Sequence, residues 1–329
     1  MTVGGRAFFR RGRYRGWVAT AAAAVAAVTT AIVALWSTEA PDSATVGRSL
    51  VPTDTARPTA PQRAASNLPR RVVAGYWQGW GDPALRLNRV PRAYNVIMAA
   101  FAVGDGSGRV RFSQSVQTPA SFTADVDALN RAGRRVLLSV GGWDDGGLQI
   151  TNDAQKAAFL RSVTRIIDTY HFQGIDWDLE HGIDPAQVAD ATFTLKAKYG
   201  PRFLITMAPG LDSRLEREQL DLAARIKDVL DIANIQFYNQ AELTPQFVVS
   251  RTLAWGNVLG PDQVGMGFMT VRTPTDTGIQ TPDGVCAMWR NLVRQAPTAR
   301  GVMTWSINLD STSGYQFART CAPAVRNAR

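Results

Sequence analysis

"HFQGIDWDLEHG", residues 171–182, alternates acids with large apolar side chains: Asp176, Asp178 and Glu180 are interleaved with Ile175, Trp177 and Leu179. A spacing of two is the period of a β-strand, so on a strand the carboxylates share one face and the apolar groups the other. Burying an acid costs several kcal/mol unless something compensates it. The pattern therefore asks for an architecture in which one face of the strand is covered by apolar packing while the acids line a common interior. With a strand over 173–180, Asp178 sits roughly 7 Å below Glu180, and Asp176 as far again, at about 3.3 Å per residue.

The flanking sequence supplies such an architecture. Short β-rich runs recur at 71–77, 94–103, 134–142, 173–180, 202–209, 233–239, 263–269 and 300–307. Several, such as "YNVIMAAFAV", are continuously apolar, as strands buried on both faces should be. Segments of helical periodicity lie between them, clearest at 152–170, where Asn152 or Asp153 offers the N-cap, and at 244–255 and 281–296. The link between the first two strands looks irregular. Eight strands alternating with helices predict an α/β chain folded as a (β/α)8 TIM barrel over 71–329. A doubly wound open sheet is the competing fold, but "GYWQGWGDP" (75–83) has glycines without a GxGxxG turn leading into a helix.

In a barrel the C-terminal strand ends form the catalytic mouth, which places Glu180 there. Acids crowded in a barrel cannot all ionise, so one keeps a proton near neutral pH. A raised carboxylic acid is what protonation of a glycosidic leaving oxygen requires. Glu180, nearest solvent, is the expected proton donor, and Asp178 is expected to share a proton with Asp176 below it.

The net charge of +9 is concentrated at the front of the chain. Residues 1–71 carry ten arginines against Glu39, Asp42 and Asp54, while the remainder is close to neutral and has no basic stripe, which argues against nucleic-acid binding. Residues 17–36, "WVATAAAAVAAVTTAIVALW", carry no charge and follow "RAFFRRGRYR". About 20 such residues can cross a bilayer, and the arginines in front favour a cytoplasmic N-terminus. The segment 1–36 is thus expected to be a signal peptide or a signal-anchor helix, with membrane attachment if uncleaved and export of the body either way. Residues 37–70, rich in Pro, Thr, Ser and Ala, read as a disordered linker. Outside the cytoplasm the two cysteines, Cys286 and Cys321, can form one disulfide. A monomer is expected.

"GIDWDLE" resembles the DxxDxDxE signature of family 18 glycoside hydrolases, the chitinases and their relatives. "SVGG" (139–142), "TMAP" (206–209), "QFYN" (236–239), "GVMTWSIN" (301–308) and the opening "GYWQGW" resemble that family's other strand motifs, in the same order. One departure is Gln173, which stands where the signature has its first Asp. The resemblance implies a retaining, substrate-assisted reaction in which the substrate's own 2-acetamido oxygen attacks the anomeric carbon. Glu180 would be the acid/base and Asp178 would orient the acetamide. Tyr238 would bond the acetamide carbonyl with help from Asn239, and Trp305 with Met207 would form the sugar floor. Ser139 would support Asp176. The matched motifs also put Tyr76 and Gly142 among the substrate contacts, and Trp80 and Trp143, which follow strands one and three, could stack on sugars. His181 faces away from Glu180 on a strand and is expected to pack. No metal or organic cofactor is expected.

The resulting expectation is an exported, endo-acting glycosidase of β-1,4-linked N-acetylglucosamine polymers (chitin or its oligomers). An endo-β-N-acetylglucosaminidase acting on N-linked glycans and a non-catalytic, lectin-like chitin-binding barrel are the rivals. No long insertion follows the seventh strand, so the cleft should be shallow and open.

Overall fold

The computed structural model describes residues 66–240 and 243–328. The apolar run at 17–36 and the linker up to residue 65 lie outside the described residues. Among the described residues no helix is long and apolar enough to cross a membrane.

Among the described residues nine strands follow in chain order: β1 (Val72–Gln78), β2 (Val96–Gly104), β3 (Val110–Phe112), β4 (Arg135–Gly141), β5 (Gly174–Asp178), β6 (Leu204–Met207), β7 (Ile232–Gln236), β8 (Val264–Phe268) and β9 (Gly301–Thr304). All but β3 pair in parallel with their neighbours, and β9 closes on β1 to complete an eight-stranded barrel. β3 turns back antiparallel on β2, a short hairpin that the sequence did not announce. The helices are α1 (Pro119–Arg131), α2 (Asp153–Tyr170), α3 (Pro185–Tyr199), α4 (Ser213–Ile226), α5 (Pro245–Leu259), α6 (Pro282–Gln295), α7 (Ile307–Thr312) and α8 (Gln316–Arg326). Between β1 and β2 there is only a 3₁₀ turn at Leu87–Arg89, in keeping with the irregular link expected there.

Local chemistry starts the helices where they start. Thr118, Asn152, Asp184, Asp212, Thr244 and Thr281 each accept a backbone N–H of the following first turn. Proline occupies the first turn of α1, α3, α5 and α6, where its missing N–H costs nothing.

Strand alternation sorts the buried side chains into two cores. Val72, Ala74, Tyr76, Val96, Met98, Leu137, Leu204, Ile232 and Met303 fill the barrel interior. Val73, Trp77, Ile97, Val136, Ile175, Trp177, Ile205 and Ile235 pack outward under the helices. Because both strand faces are buried, the strands read as continuous apolar runs. Leu68 joins the interior cluster, and the Ser66 hydroxyl donates to Asp231 at the start of β7. Residues ahead of the expected boundary at 71 thus take part in the packing.

The expected Cys286–Cys321 bridge is not formed in this structure. The two sulfurs, on α6 and α8, are 3.2 Å apart, and both residues are buried free thiols. A covalent S–S bond spans about 2.05 Å.

Candidate active site

β5 carries the acids, and its neighbours in the barrel hold them. The ladder ends at Asp178, not at Glu180 as expected, so Glu180 stands two residues beyond the strand. Its direction is fixed by the two peptides before it. Gly142 N–H donates to the Asp178 carbonyl at 2.7 Å, and the buried Gln219 side chain of α4 donates to the Leu179 carbonyl at 2.7 Å. Gln219 also accepts Gly210 N–H at 2.9 Å, joining the ends of β5 and β6. Leu179 remains in the outer core, so the alternation persists past the strand and Glu180 lines the cleft.

Asp176 is fully buried and collects three hydroxyl groups from three other strands. Tyr76 of β1 donates to Oδ2 at 2.9 Å, Ser139 of β4 to Oδ2 at 2.7 Å, and Thr206 of β6 to Oδ1 at 2.5 Å. Each bond to a charged acceptor contributes about 1.5–3 kcal/mol, enough to offset much of the desolvation of the carboxylate. Burial still prevails, and Asp176 is held above the ordinary carboxylate range.

Asp178 accepts Gln236 Nε2 of β7 at 2.7 Å, and the same amide donates to Ala208 O at 2.9 Å. Burial, then the Glu180 charge, then Asp176, push Asp178 well above the usual range. Glu180 is pushed up to about 7, chiefly by burial, with Asp145 adding to the rise and His181 opposing it. The proton sharing between Asp178 and Asp176 expected from sequence has no direct hydrogen bond between the two acids to carry it here. Both oxygens of Asp176 are engaged by hydroxyl groups, and Glu180 is the foremost charge acting on Asp178.

Above these acids lies a cleft of about 920 Å³ whose lining includes Trp80, Trp143, Glu180, Gln236, Tyr238 and Trp305. Its floor is aromatic. Phe101 stacks on Trp305 with ring centroids 5.6 Å apart and planes at 11°, and Tyr76 meets Trp305 edge-on at 5.3 Å. Trp80 reaches Phe101 at 5.9 Å. Trp143 stands 73% exposed at the rim.

Three expected substrate contacts are placed differently, and a fourth, Asn239, keeps its place in the cleft. Met207 is buried in the outer core between strands and helices, because β6 turns Leu204, Thr206 and Ala208 inward. Tyr76 is wholly buried and serves Asp176. Gly142 is buried at φ +86°, where a Cβ would come within 2.7 Å of the Phe101 ring, so it is glycine for backbone packing. Asn239 does line the cleft, but its side chain is committed to the neighbouring loop: it donates to Asp276 at 3.2 Å and accepts Thr277 N–H at 3.0 Å. His181, expected to pack, is exposed and sits beside the Trp143 ring.

Gln173 precedes β5 and, by alternation, faces away from the acids. Its Oε1 is buried without a partner. The departure from the signature therefore lies outside the hydrogen-bond network of Asp176.

Gln236, Gln219, Thr206 and Phe101 were missed from sequence. Thr206 and Gln236 were detectable, as polar residues within otherwise apolar strands. Phe101 was not, within the uniformly apolar 96–103. Among the described residues, no group of three or more His, Cys, Asp or Glu side chains is arranged to hold a metal ion.

The chain matches the model of "Glycosyl hydrolases family 18" over residues 72–282, which contain the acids, the hydroxyl cluster and Tyr238. Exochitinase 1 of Streptomyces olivaceoviridis is 29% identical over 337 residues, covering 78% of this chain and 56% of that protein. A chitinase of Paenibacillus xylanexedens is 26% identical over 319 residues, covering 76% of this chain and 61% of the other. The chain thus spans little more than half the length of these two relatives. The crystal structure of a family 18 chitinase from Chromobacterium violaceum superposes with a TM-score of 0.72 at 28% identity, over 79% of this chain and 84% of that one. With a closed barrel, the acids of β5 rising to its mouth and the family match over most of the barrel, the chain belongs to the glycosyl hydrolases of family 18.

Proposed function

We propose that the chain is an exported chitinase that cleaves β-1,4-linked N-acetylglucosamine polymers by a retaining, substrate-assisted reaction. The observation that carries this reading is Glu180. It lines the cleft above an aromatic floor, and burial with Asp145 pushes it up to about 7, so the acid retains a proton near neutral pH. Glu180 protonates the leaving oxygen and later removes a proton from the incoming water. Asp178, adjacent on the same face, receives the acetamide N–H and stabilises the positive oxazolinium formed when the acetamide oxygen attacks the anomeric carbon. Tyr238, buried near both acids at the cleft wall, donates to the acetamide. Trp305 supports the apolar face of the sugar. The named relatives support the substrate class.

The short connection from Phe268 to Pro282 after β8 leaves no insertion to wall the cleft, which favours cutting within a chain. Incubation with chitohexaose is expected to yield di-, tri- and tetrasaccharides together from the first time points. Disaccharide released only from one end would overturn endo attack. Release from an N-glycoprotein with chitohexaose left intact would assign the same residues to the rival glycan-core reaction, and retention on chitin with no cleavage would assign a lectin.

Export rests on the basic and apolar segments before residue 37. In an oxidising compartment the Cys286 and Cys321 thiols, already side by side, close to a disulfide. Intact-mass measurement of the exported protein tests both points. A bridged chain is two hydrogen atoms lighter, their electrons having passed to the oxidant of the compartment, and is unreactive to thiol reagents until reduced, and loss of the first 36 or so residues marks cleavage; a full-length mass with two alkylatable thiols from a cytoplasmic fraction contradicts both.

A further inference from the structure

His181 follows Glu180 in the chain, yet it is exposed and attached to another element. Its Nε2 is 2.8 Å from the carbonyl oxygen of Trp143, and the two rings lie 5.6 Å apart with planes at 43°. A carbonyl only accepts, so Nε2 carries the proton of that bond. Trp143 sits on the loop after β4, and the far side of that loop is pinned. Gly104 N–H donates to the Asp145 carbonyl at 2.7 Å, and Gly146, at φ +66°, lies so close to the Gly104 carbonyl that a Cβ would approach it to 2.5 Å. On the near side, Gly142 is tied to the Asp178 carbonyl. Between these anchors, the bond from His181 fixes the peptide that carries the most exposed aromatic ring of the cleft.

We propose that His181 is a positioning residue that couples the two sides of the cleft: it braces Trp143 as a sugar platform and sets a titratable charge beside the acid Glu180. The inference rests on the glycosidase reading for what the platform and the acid do, but the coupling is a property of the folded chain. Two consequences follow from the same ring. The Nε2–H bond holds the platform in both protonation states, because neutral imidazole with its proton on Nε2 and imidazolium both donate there. The charge acts only in the protonated state, where it favours ionised Glu180 and opposes burial and Asp145. The other charged groups around His181 are Asp144 and Asp145 on the Trp143 loop and Asp184 at the start of α3. Arg214 and Glu218 of α4 come up beside Gly182, paired with each other at 3.2 Å.

The chain has only two histidines, so the test can be read directly. Long-range ¹H–¹⁵N spectra of the folded protein show two imidazoles, and His171, bonded to Asp127 at 2.9 Å, is assigned with His171→Gln. Neutral His181 is expected as the Nε2–H tautomer. Glu180→Gln is expected to leave that tautomer in place, since the bond to the Trp143 carbonyl does not involve the acid. An Nδ1–H tautomer would overturn the coupling, and that result does not depend on turnover.

Kinetics supply the second readout. His181→Leu is expected to raise KM for chitohexaose several-fold, whereas His181→Gln, which retains an amide donor for the Trp143 carbonyl, keeps KM near the wild-type value. Both variants are expected to move the alkaline limb of kcat to higher pH, because Glu180 holds its proton more tightly without the imidazolium. Equal KM effects from the two variants, or unmoved limbs, contradict the inference. A wild-type protein that cleaves no N-acetylglucosamine oligomer contradicts the chitinase reading instead, while the spectra still decide the coupling.

Discussion

Replacing Glu180 with Gln is expected to lower kcat on chitohexaose by about 10²–10⁴-fold, the usual contribution of a positioned general acid. Gln has nearly the same shape and keeps hydrogen-bonding capacity, but it has no proton to give to the leaving oxygen and no basicity to activate water. Oligomer binding should persist, because the aromatic floor of Trp305, Phe101 and Trp80 is untouched. The same substitution should make the protein more stable above neutral pH. Glu180 is raised from 4.5 to about 7 by burial, so the folded state binds this proton more tightly than the unfolded chain. The stability that comes from this proton is fully present below about pH 4.5 and is lost as pH rises through about 7. The amide introduced by Glu180→Gln does not ionise and escapes that loss. Thermal melts of the two proteins should therefore nearly coincide at pH 4 and separate in favour of the variant at pH 8. A loss of activity accompanied by a gain in Tm cannot be attributed to misfolding, and near-normal turnover would remove Glu180 from the reaction.

The barrel was legible because each of its strands leaves a local mark. Eight apolar runs in the right number and spacing locate all eight barrel strands, with their ends shifted by one to three residues. Asp176 and Asp178 were legible for a stronger reason. Polar groups at period two within a buried strand have only one face to share, so parity assigns their direction without any knowledge of neighbours. Met207 shows where that reasoning fails. In the run "LITM" every residue is buried and parity must be anchored by a polar residue. Thr206 was that anchor: its hydroxyl belongs on Asp176, so Met207 had to face the helices. A one-residue error in register moves a side chain from cleft to outer core. Tyr76 failed differently. Its direction into the barrel is right for a site residue, but its depth, level with Asp176, removes it from substrate. Depth depends on the stagger of strands against one another, which no single strand records. The helices α3 and α4 escaped for a further reason. Helix stability here comes from one face packed on the strands, and in α3 and α4 that face carries small or polar residues, Ala189, Ala191 and Thr192 in one and Glu216 and Gln219 in the other, whereas α1 buries Phe122, Val126 and Leu129 at helical spacing and was overlooked in spite of that signal.

Asp178→Asn is expected to lower kcat by roughly 10²–10³-fold, comparable to losing one preorganised electrostatic partner of the transition state. Asn keeps the size of Asp and an oxygen that can still accept the Gln236 amide, now at 2.7 Å from the carboxylate, so the site geometry should survive. What disappears is a carboxyl group able to ionise next to the oxazolinium of the proposed reaction once Glu180 holds its proton, in surroundings that exclude water and so strengthen the effect. The acid itself is retained, which allows the role of Asp178 to be separated from that of Glu180 by changing the substrate. On an oligomer whose reacting sugar carries a 2-hydroxyl in place of the acetamide, no oxazolinium can form. Both wild type and Asp178→Asn should then be slow, and the gap between them should shrink to within about tenfold. Glu180→Gln should remain defective on any glycoside whose leaving group needs a proton. It should recover with an activated aryl leaving group, which departs without one. If Asp178→Asn lost the same factor on acetamido and hydroxyl substrates, Asp178 would be acting on the proton of Glu180 alone. The substrate-assisted step would then have to be replaced by attack of water or of another side chain of the cleft.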